Sequence, residues 1–412
     1  MTIPTISSVI NFSTGPSFAQ TVVLGTGVLG TNILGNSTAV IVNVSNQVDR
    51  ISTKRGRNPQ ADQFQTGSMS LRIVDMNGDF NAQNPNSPYA GLLVPMRKVQ
   101  ISATYAGVSY NIFSGYITSY NTITPQSVGD VVYTTIEAVD AFRLAQNAQI
   151  STVSTASAGQ LSGARINALL DQIEWPAGMR DVDAGSTTMA ADPGTARTSL
   201  AAMQTVETSE YGSLYVDANG FFTFQDRAVT TAGSGLTPVI FSDTGAGIKY
   251  NNAVWRLDDT LVYNSAQITR TGGTTQTASN ATSIATYFLH SYNQQNLLME
   301  TDTVALQYAQ SYVASRADTS VRCDAITLDL YTNDYDAGIK AALSLNYFDP
   351  VTITTTQPGN STLSKTLQVF GVAMEITPNT WRSTYTTLEP IIDGMVLDSA
   401  LYGLLDTGVL TY

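Results

Sequence analysis

A strict two-residue alternation of apolar and polar side chains runs through both ends of this chain and fixes its class. In SMSLRIV (68–74), Met69, Leu71 and Ile73 share one face, and Ser70 and Arg72 the other. Such a period places one face on a core and the other toward solvent, as a half-buried strand requires. VQISATY (99–105) repeats it with Val99, Ile101 and Ala103, and NIFSGYITSY (111–120) and VVYTTIEAVDAF (131–142) are rich in β-branched and aromatic residues. After residue 250 strands return at 252–259, 263–273, 323–330, 350–356, 365–377 and 381–390. Short turn-rich spacers separate the strands of the first part, the pattern of an antiparallel barrel or sandwich.

The middle changes period. LSGARINALLDQIEW (161–175) sets Ile166, Leu169, Leu170 and Ile173 on one helical stripe, ended by Pro176 and Gly178. From Pro193 a second helix is expected, capped by Asp192 and closed by Gly212. GSLYVDANGFFTFQDR (212–227) reads as a hairpin, with Asn219-Gly220 supplying the two positive φ angles of a type I′ turn. One more helix is expected over 302–317, with Ala305, Tyr308, Ala309 and Tyr312 on its stripe.

A short internal repeat links the two β parts. VQISAT, a turn and FSGYIT in the first correspond to VTITTT, a turn and FGVAMEIT in the second, each followed by a proline, Pro125 or Pro378. The chain therefore reads as an extended arm (1–45), a first β-domain (46–150), a small α+β insert (151–232) and a second β-domain with one helix (233–412).

Several function classes lose support. Cys323 and His290 are each the sole residue of their type, which removes intrachain disulfides, multi-histidine zinc sites and histidine triads. A net charge of −12 opposes nonspecific nucleic-acid binding, which needs a basic face, yet suits a channel that nucleic acid passes without sticking. Charged residues are only 13%, with Thr, Ser, Asn and Gln in their place, as in β-rich structural proteins with many subunit contacts. No apolar run is long enough for a membrane span, and the N-terminus lacks the pattern of a signal peptide. Sequons at Asn11, Asn36, Asn43, Asn280 and Asn360 follow from the abundance of Asn, Ser and Thr.

Other motifs are weighed in turn. Gly25-x-Gly27-x-x-Gly30 has the spacing of a dinucleotide fingerprint, whose acidic partner would be Asp49. The following TNILGNSTAVIVNV does not read as the required helix. The stretch parses better as three aliphatic-pair-plus-glycine units of an arm that packs through Leu24, Leu29 and Leu34. Asp75, Asn77 and Asp79 fit positions 1, 3 and 5 of a calcium loop, but Phe80 and Asn86 stand where it needs Gly and Glu. A β-turn on Asn77-Gly78 closed by side chains is the simpler reading. Glu207, Glu210, Asp217 and Asp258-Asp259 offer carboxylates with no spacing that pairs them for acid–base work. Lys54-Arg55-Gly56-Arg57 is the one basic cluster, either a dock for an acidic neighbour or a solvated loop. No catalytic, cofactor or metal set is expected.

Residues 48–116 resemble the N-terminal part of phage tail-tip proteins, the minor tail or tail hub proteins of long-tailed phages. The shared order is a turn at Gly56-Arg57, Phe64-Gln65-x-Gly67, and L-x-I-x-D-x-N-G-x-F from Leu71 to Phe80. N-P-x-S-P-Y (Asn84 to Tyr89), L-x-P-x-R-x-V (Leu93 to Val99) and F-x-G-Y-I (Phe113 to Ile117) follow. E-x-G-x-L-Y-V-D-x-N-G-x-F-x-F (210–224) and V-F-G-V-x-x-x-I-T-P-x-x-W (369–381) extend the resemblance over most of the chain. It implies two tail-tube-like antiparallel β-barrels flanking a helix-hairpin domain, in a mainly β chain. It also implies a homotrimeric, non-enzymatic hub ring of the virion tail tip, in which six barrels continue the tail tube. Such a baseplate hub joins distal tail and tape-measure proteins to a spike or tail fibres, and phage DNA leaves through its lumen during ejection. No lytic extension is recognised. The alternatives are a distal-tail or baseplate adaptor, a host-surface carbohydrate-binding tail protein and, from a third class, a hydrolase.

Overall fold

The computed structural model describes residues 3–18, 40–57, 62–123, 129–227, 236–245, 247–331 and 335–389. The alternating segments form strands where the period demands them: Gln65–Val74, Lys98–Tyr105, Val108–Ile123 and Tyr133–Val139 early, and Asn252–Arg256, Arg322–Asp329, Pro350–Thr356, Thr362–Thr377 and Thr380–Leu388 late. Met69, Leu71 and Ile73 are fully buried, as the alternation requires.

These strands belong to one thirteen-stranded sheet that contains the same array twice. The first array runs, in spatial order, Val48–Gly56, Gln65–Val74, Tyr133–Val139, Val108–Ile123, Lys98–Tyr105, Thr5–Asn11. The second runs Asn252–Arg256, Arg322–Asp329, Thr380–Leu388, Thr362–Thr377, Pro350–Thr356, Val239–Ser242. Chain order and spatial order correspond strand for strand. In each, a 16-residue strand pairs through its first half with the strand before it and through its second half with the strand after it. Both long strands carry an irregularity at the crossover, between Ile117 and Ser119 and between Val369 and Gly371. The short sequence repeat thus marks a duplication of a whole six-strand array. The copies differ at one rim: Thr5–Asn11 joins antiparallel, Val239–Ser242 parallel.

Two tail-tube-like β-barrels were expected. Among the described residues no strand pair closes either array on itself, and the sheet is open. The second half of Thr362–Thr377 instead pairs with Val48–Gly56 of the first array, from Gly371 opposite Gly56 to Ile376 opposite Ile51. An edge that one array could have used for its own closure is given to the other.

Between the arrays lies the helical insert. Ser162–Gln172 buries Ile166, Leu169 and Leu170, and Glu174 in the left-handed region follows its end. The second helix spans Ser199–Glu210, six residues later than the sequence reading. Thr198, not Asp192, caps it by accepting from Ala201 N at 3.1 Å. Asp192 instead accepts from Gly194 N and pairs with Arg197, which holds the preceding residues extended. In the hairpin only Gly220 has positive φ, at 86°. Asp217 accepts from Asn219 N at 2.9 Å and Phe221 N at 2.7 Å, which keeps Asn219 out of the left-handed region and replaces the type I′ turn.

The second array carries an insertion of its own between Asn252–Arg256 and Arg322–Asp329. Strands Ser265–Arg270, Gln276–Ser279 and Ser291–Leu297 form a three-stranded sheet under the helix Asp302–Arg316. They enclose a separate core of Ile268, Leu297, Ala305, Tyr308, Ala309 and Tyr312. The helix agrees with the stripe read from the sequence; the small sheet beneath it was not anticipated as a unit.

Residues 19–39, which include Leu24, Leu29, Leu34 and the glycine spacing, lie outside the described residues. Of the expected arm, Thr5–Asn11 is a full sheet strand paired with Lys98–Tyr105. The chain beyond it is held by Lys98 Nζ, which donates to Ser17 O at 2.6 Å, and by Tyr116 Oη, which donates to Pro16 O at 2.7 Å.

Candidate assembly surface

Most of the carboxylates singled out in the sequence hold backbone N–H groups or a neighbouring arginine. Glu210 is fully buried and accepts from Ser162 Oγ at 2.8 Å, Thr187 N at 2.7 Å and Ser186 N at 3.2 Å, tying the two insert helices to the 186–187 segment. Glu207 accepts from Leu214 N at 2.7 Å. Asp217 closes the hairpin, and Asp258 holds Arg322 at 2.8 Å. Asp75 accepts from Asp79 N, Phe80 N and Thr134 Oγ1, which closes the Asn77-Gly78 turn with a side chain. No cluster of three acidic, histidine or cysteine ligands exists among the described residues. Cys323 is buried, and burial pushes its thiol up to about 11, so it is chemically quiet at neutral pH. His290 Nε2 lies 3.0 Å from Tyr287 O and 3.8 Å from Asp259 at the surface.

The basic cluster is neither a free dock nor a solvated loop. Arg55 and Arg57 are buried at the joint between the arrays. The Arg55 guanidinium lies 5.2 Å over Tyr347, and that of Arg57 lies 4.2 Å over Phe370. Between them Gly56 has φ +111°, and a Cβ there would stand 2.3 Å from Phe370 O. Phe64 completes the joint, with Tyr215 of the insert at 5.2 Å and Tyr347 and Phe348 of the second array at 4.8 and 5.9 Å. The sequence shows arginine and glycine here; the aromatic partners lie some three hundred positions downstream, where local reading cannot connect them.

Beside the joint is a cavity of about 680 Å³ lined by Arg57, Asp62, Glu207, Tyr211, Tyr308 and Arg316, among others. Within it Asp62 accepts from Arg316 at 3.0 Å and from Tyr312 Oη at 3.1 Å. Burial lowers Arg57 to about 10, opposed by Asp62 and Glu207. Burial raises Glu207 to about 8 against the pull of Leu214 N–H and Arg57, and raises Asp140 to about 7 against the N–H groups of Gly67 and Phe142. Both carboxyls are more easily kept protonated in the folded chain than in the unfolded one. Their contribution to stability is therefore full below the ordinary carboxyl range and is lost as pH rises through about 7 to 8. Chemical denaturation from pH 5 to pH 9 should show a falling stability whose slope is reduced in Glu207→Gln. An unchanged slope would remove Glu207 from this account.

What remains open to partners is sheet edge. Among the described residues, Asn252–Arg256 pairs only with Arg322–Asp329, and Ser119–Ile123 only with Tyr133–Val139. Near these edges stand exposed apolar side chains: Ile123 at 64%, Leu257 at 63% and Val254 at 37%. An unpaired, apolar edge is a template for another strand unless something covers it.

The fold is that of phage tail proteins. A tail protein from Neisseria meningitidis MC58 superposes with a TM-score of 0.56, covering 95% of this chain and 98% of its own at 10% identity. The 43 kDa tail protein of prophage MuSo2 from Shewanella oneidensis gives 0.52, covering 85% of this chain and 96% of its own at 12% identity. No family model matches the chain, and no curated protein matches it in sequence.

Proposed function

We propose that the protein is a structural component of a phage tail, and within the tail the hub ring at its tip. Three copies would form the ring. Each brings two six-strand arrays, so the ring presents six and continues a six-fold tube. The duplication of the array within one chain is the observation that carries this reading. On one side the ring meets distal tail and tape-measure proteins, on the other a spike or fibres, and DNA leaves through the lumen. The lumen is where each array completes the barrel it does not close alone. A chain of net charge −12 suits a wall past which a polyanion slides without being held. The division into arm, first β-domain, insert and second β-domain is part of the same proposal.

Electron microscopy of the purified chain, or of isolated tails, should show a three-fold ring with a central channel. A monomer without ring particles, retained by host polysaccharide through the tyrosine-lined cavity, would overturn the hub reading and favour a host-surface binder.

A further inference from the structure

The joint inside the chain has an unfilled counterpart. Within one chain, the outer strand of the first array pairs with the second half of the long strand of the second array. The equivalent pieces are the outer strand of the second array, Asn252–Arg256, and the second half of the long strand of the first, Ser119–Ile123. Both are unpaired on the relevant side among the described residues.

The duplication also sets a register. The irregularities at Ile117/Ser119 and Val369/Gly371 align Ser119 with Gly371, and hence Ile123 with Glu375. Following the ladder outward, Ser119 faces Glu137 and Gly371 faces Thr386, so Ile136 corresponds to Tyr385. Next, Leu71 faces Ile136, and Ile326 faces Tyr385. All four of these residues are fully buried, which supports the alignment. Ile51 faces Leu71 and Ala253 faces Ile326, so Ser52 corresponds to Val254 and Arg55 to Leu257. In the chain's own joint Ser52 faces Glu375 and Arg55 faces Val372. The counterpart joint then sets Val254 against Ile123 and Leu257 against Tyr120.

We infer that the edge Asn252–Arg256 of one copy pairs antiparallel with Ser119–Ile123 of a second copy of this chain, in that register. The inference deepens the ring reading and rests on it. Its support is that the register, derived from buried rows and irregularities alone, matches three exposed apolar side chains: Val254 and Ile123 meet each other, and Leu257 covers the half-buried Tyr120 ring. Cross-strand apolar pairs of this kind are the unit of sheet stabilisation, and a second copy would satisfy the backbone groups of both edges.

The test is oxidative cross-linking of the full chain. Directly opposed residues bring their Cβ atoms to about 4.5–5.5 Å, within the reach of a disulfide after small adjustment. Ile123→Cys with Val254→Cys should convert most of the protein to reducible, covalently linked oligomers. Ile123→Cys with Ala253→Cys, which puts the second thiol on the opposite face, should not. Both substituted positions of the first pair are exposed, so folding is preserved, and the buried Cys323 stays silent in each variant. Val254→Lys should weaken assembly by at least tenfold while leaving the unfolding midpoint of the separated chain unchanged. A three-fold ring that forms without the 123–254 cross-link overturns this pairing and leaves the ring reading standing. A chain that stays monomeric and uncross-linked overturns both.

Discussion

Replacing Gly56 with alanine is expected to cost about 3 kcal/mol or more of stability. Two effects act together. The backbone at φ +111° lies where only glycine sits without strain, and the new methyl would meet Phe370 O at 2.3 Å. The contact is with backbone of the opposing strand, so no rotamer change relieves it. Either the ladder from Gly56–Gly371 to Ile51–Ile376 opens at its end or both strands shift. Denaturant titration of the variant should show a lower midpoint, and limited proteolysis should find new cleavage near residues 56–65. A midpoint equal to that of the parent protein would mean that the close approach does not exist in solution.

Phe64→Ala should cost a comparable 3–5 kcal/mol, the range for deleting a buried phenylalanine. Phe64 is only 2% exposed and touches rings from two other parts of the chain: Tyr215 in the insert, and Tyr347, Phe348 and Phe370 in the second array. Its loss leaves a void bordered by elements that cannot collapse together without moving the insert against both arrays. Phe64→Leu should recover part of the loss. If alanine at 64 leaves the denaturation midpoint unchanged, the ring cluster is not what fastens the insert.

Local chemistry made the strands legible. Alternation in 68–74 and 99–105 needs no partner to be seen, because burial on one side of a pleat writes itself into the sequence. The helix at 162–172 and the tyrosine helix at 302–316 were readable for the same reason. The internal repeat showed in register through one short match, VQISAT with VTITTT; FSGYIT and FGVAMEIT lie on corresponding strands but out of step, and the structure extends the repeat to six strands. The rest was hidden because its causes are non-local. Asp217 decided the hairpin turn by capturing two backbone N–H groups, overriding the preference of Asn-Gly. Thr198 won the helix cap because Asp192 was already engaged by Arg197. Arg55 and Arg57 read as surface charge since nothing nearby announces Tyr347 or Phe370. The two barrels were expected from the resemblance, since alternation reports a buried face but not which edge that face's strand will meet.

The cement at Gly56 has a mechanical corollary. Inside the chain the junction is an Arg-Gly-Arg turn clamped on aromatic rings, backed by an unbroken polypeptide. At the corresponding place in the second array stand Leu257, Asp258 and Asp259, with no glycine for close approach and no guanidinium over a ring. A closed annulus built this way alternates strong seams with weak ones. Under strain it would part at every second seam, falling into whole chains rather than half-chains, without unfolding any copy.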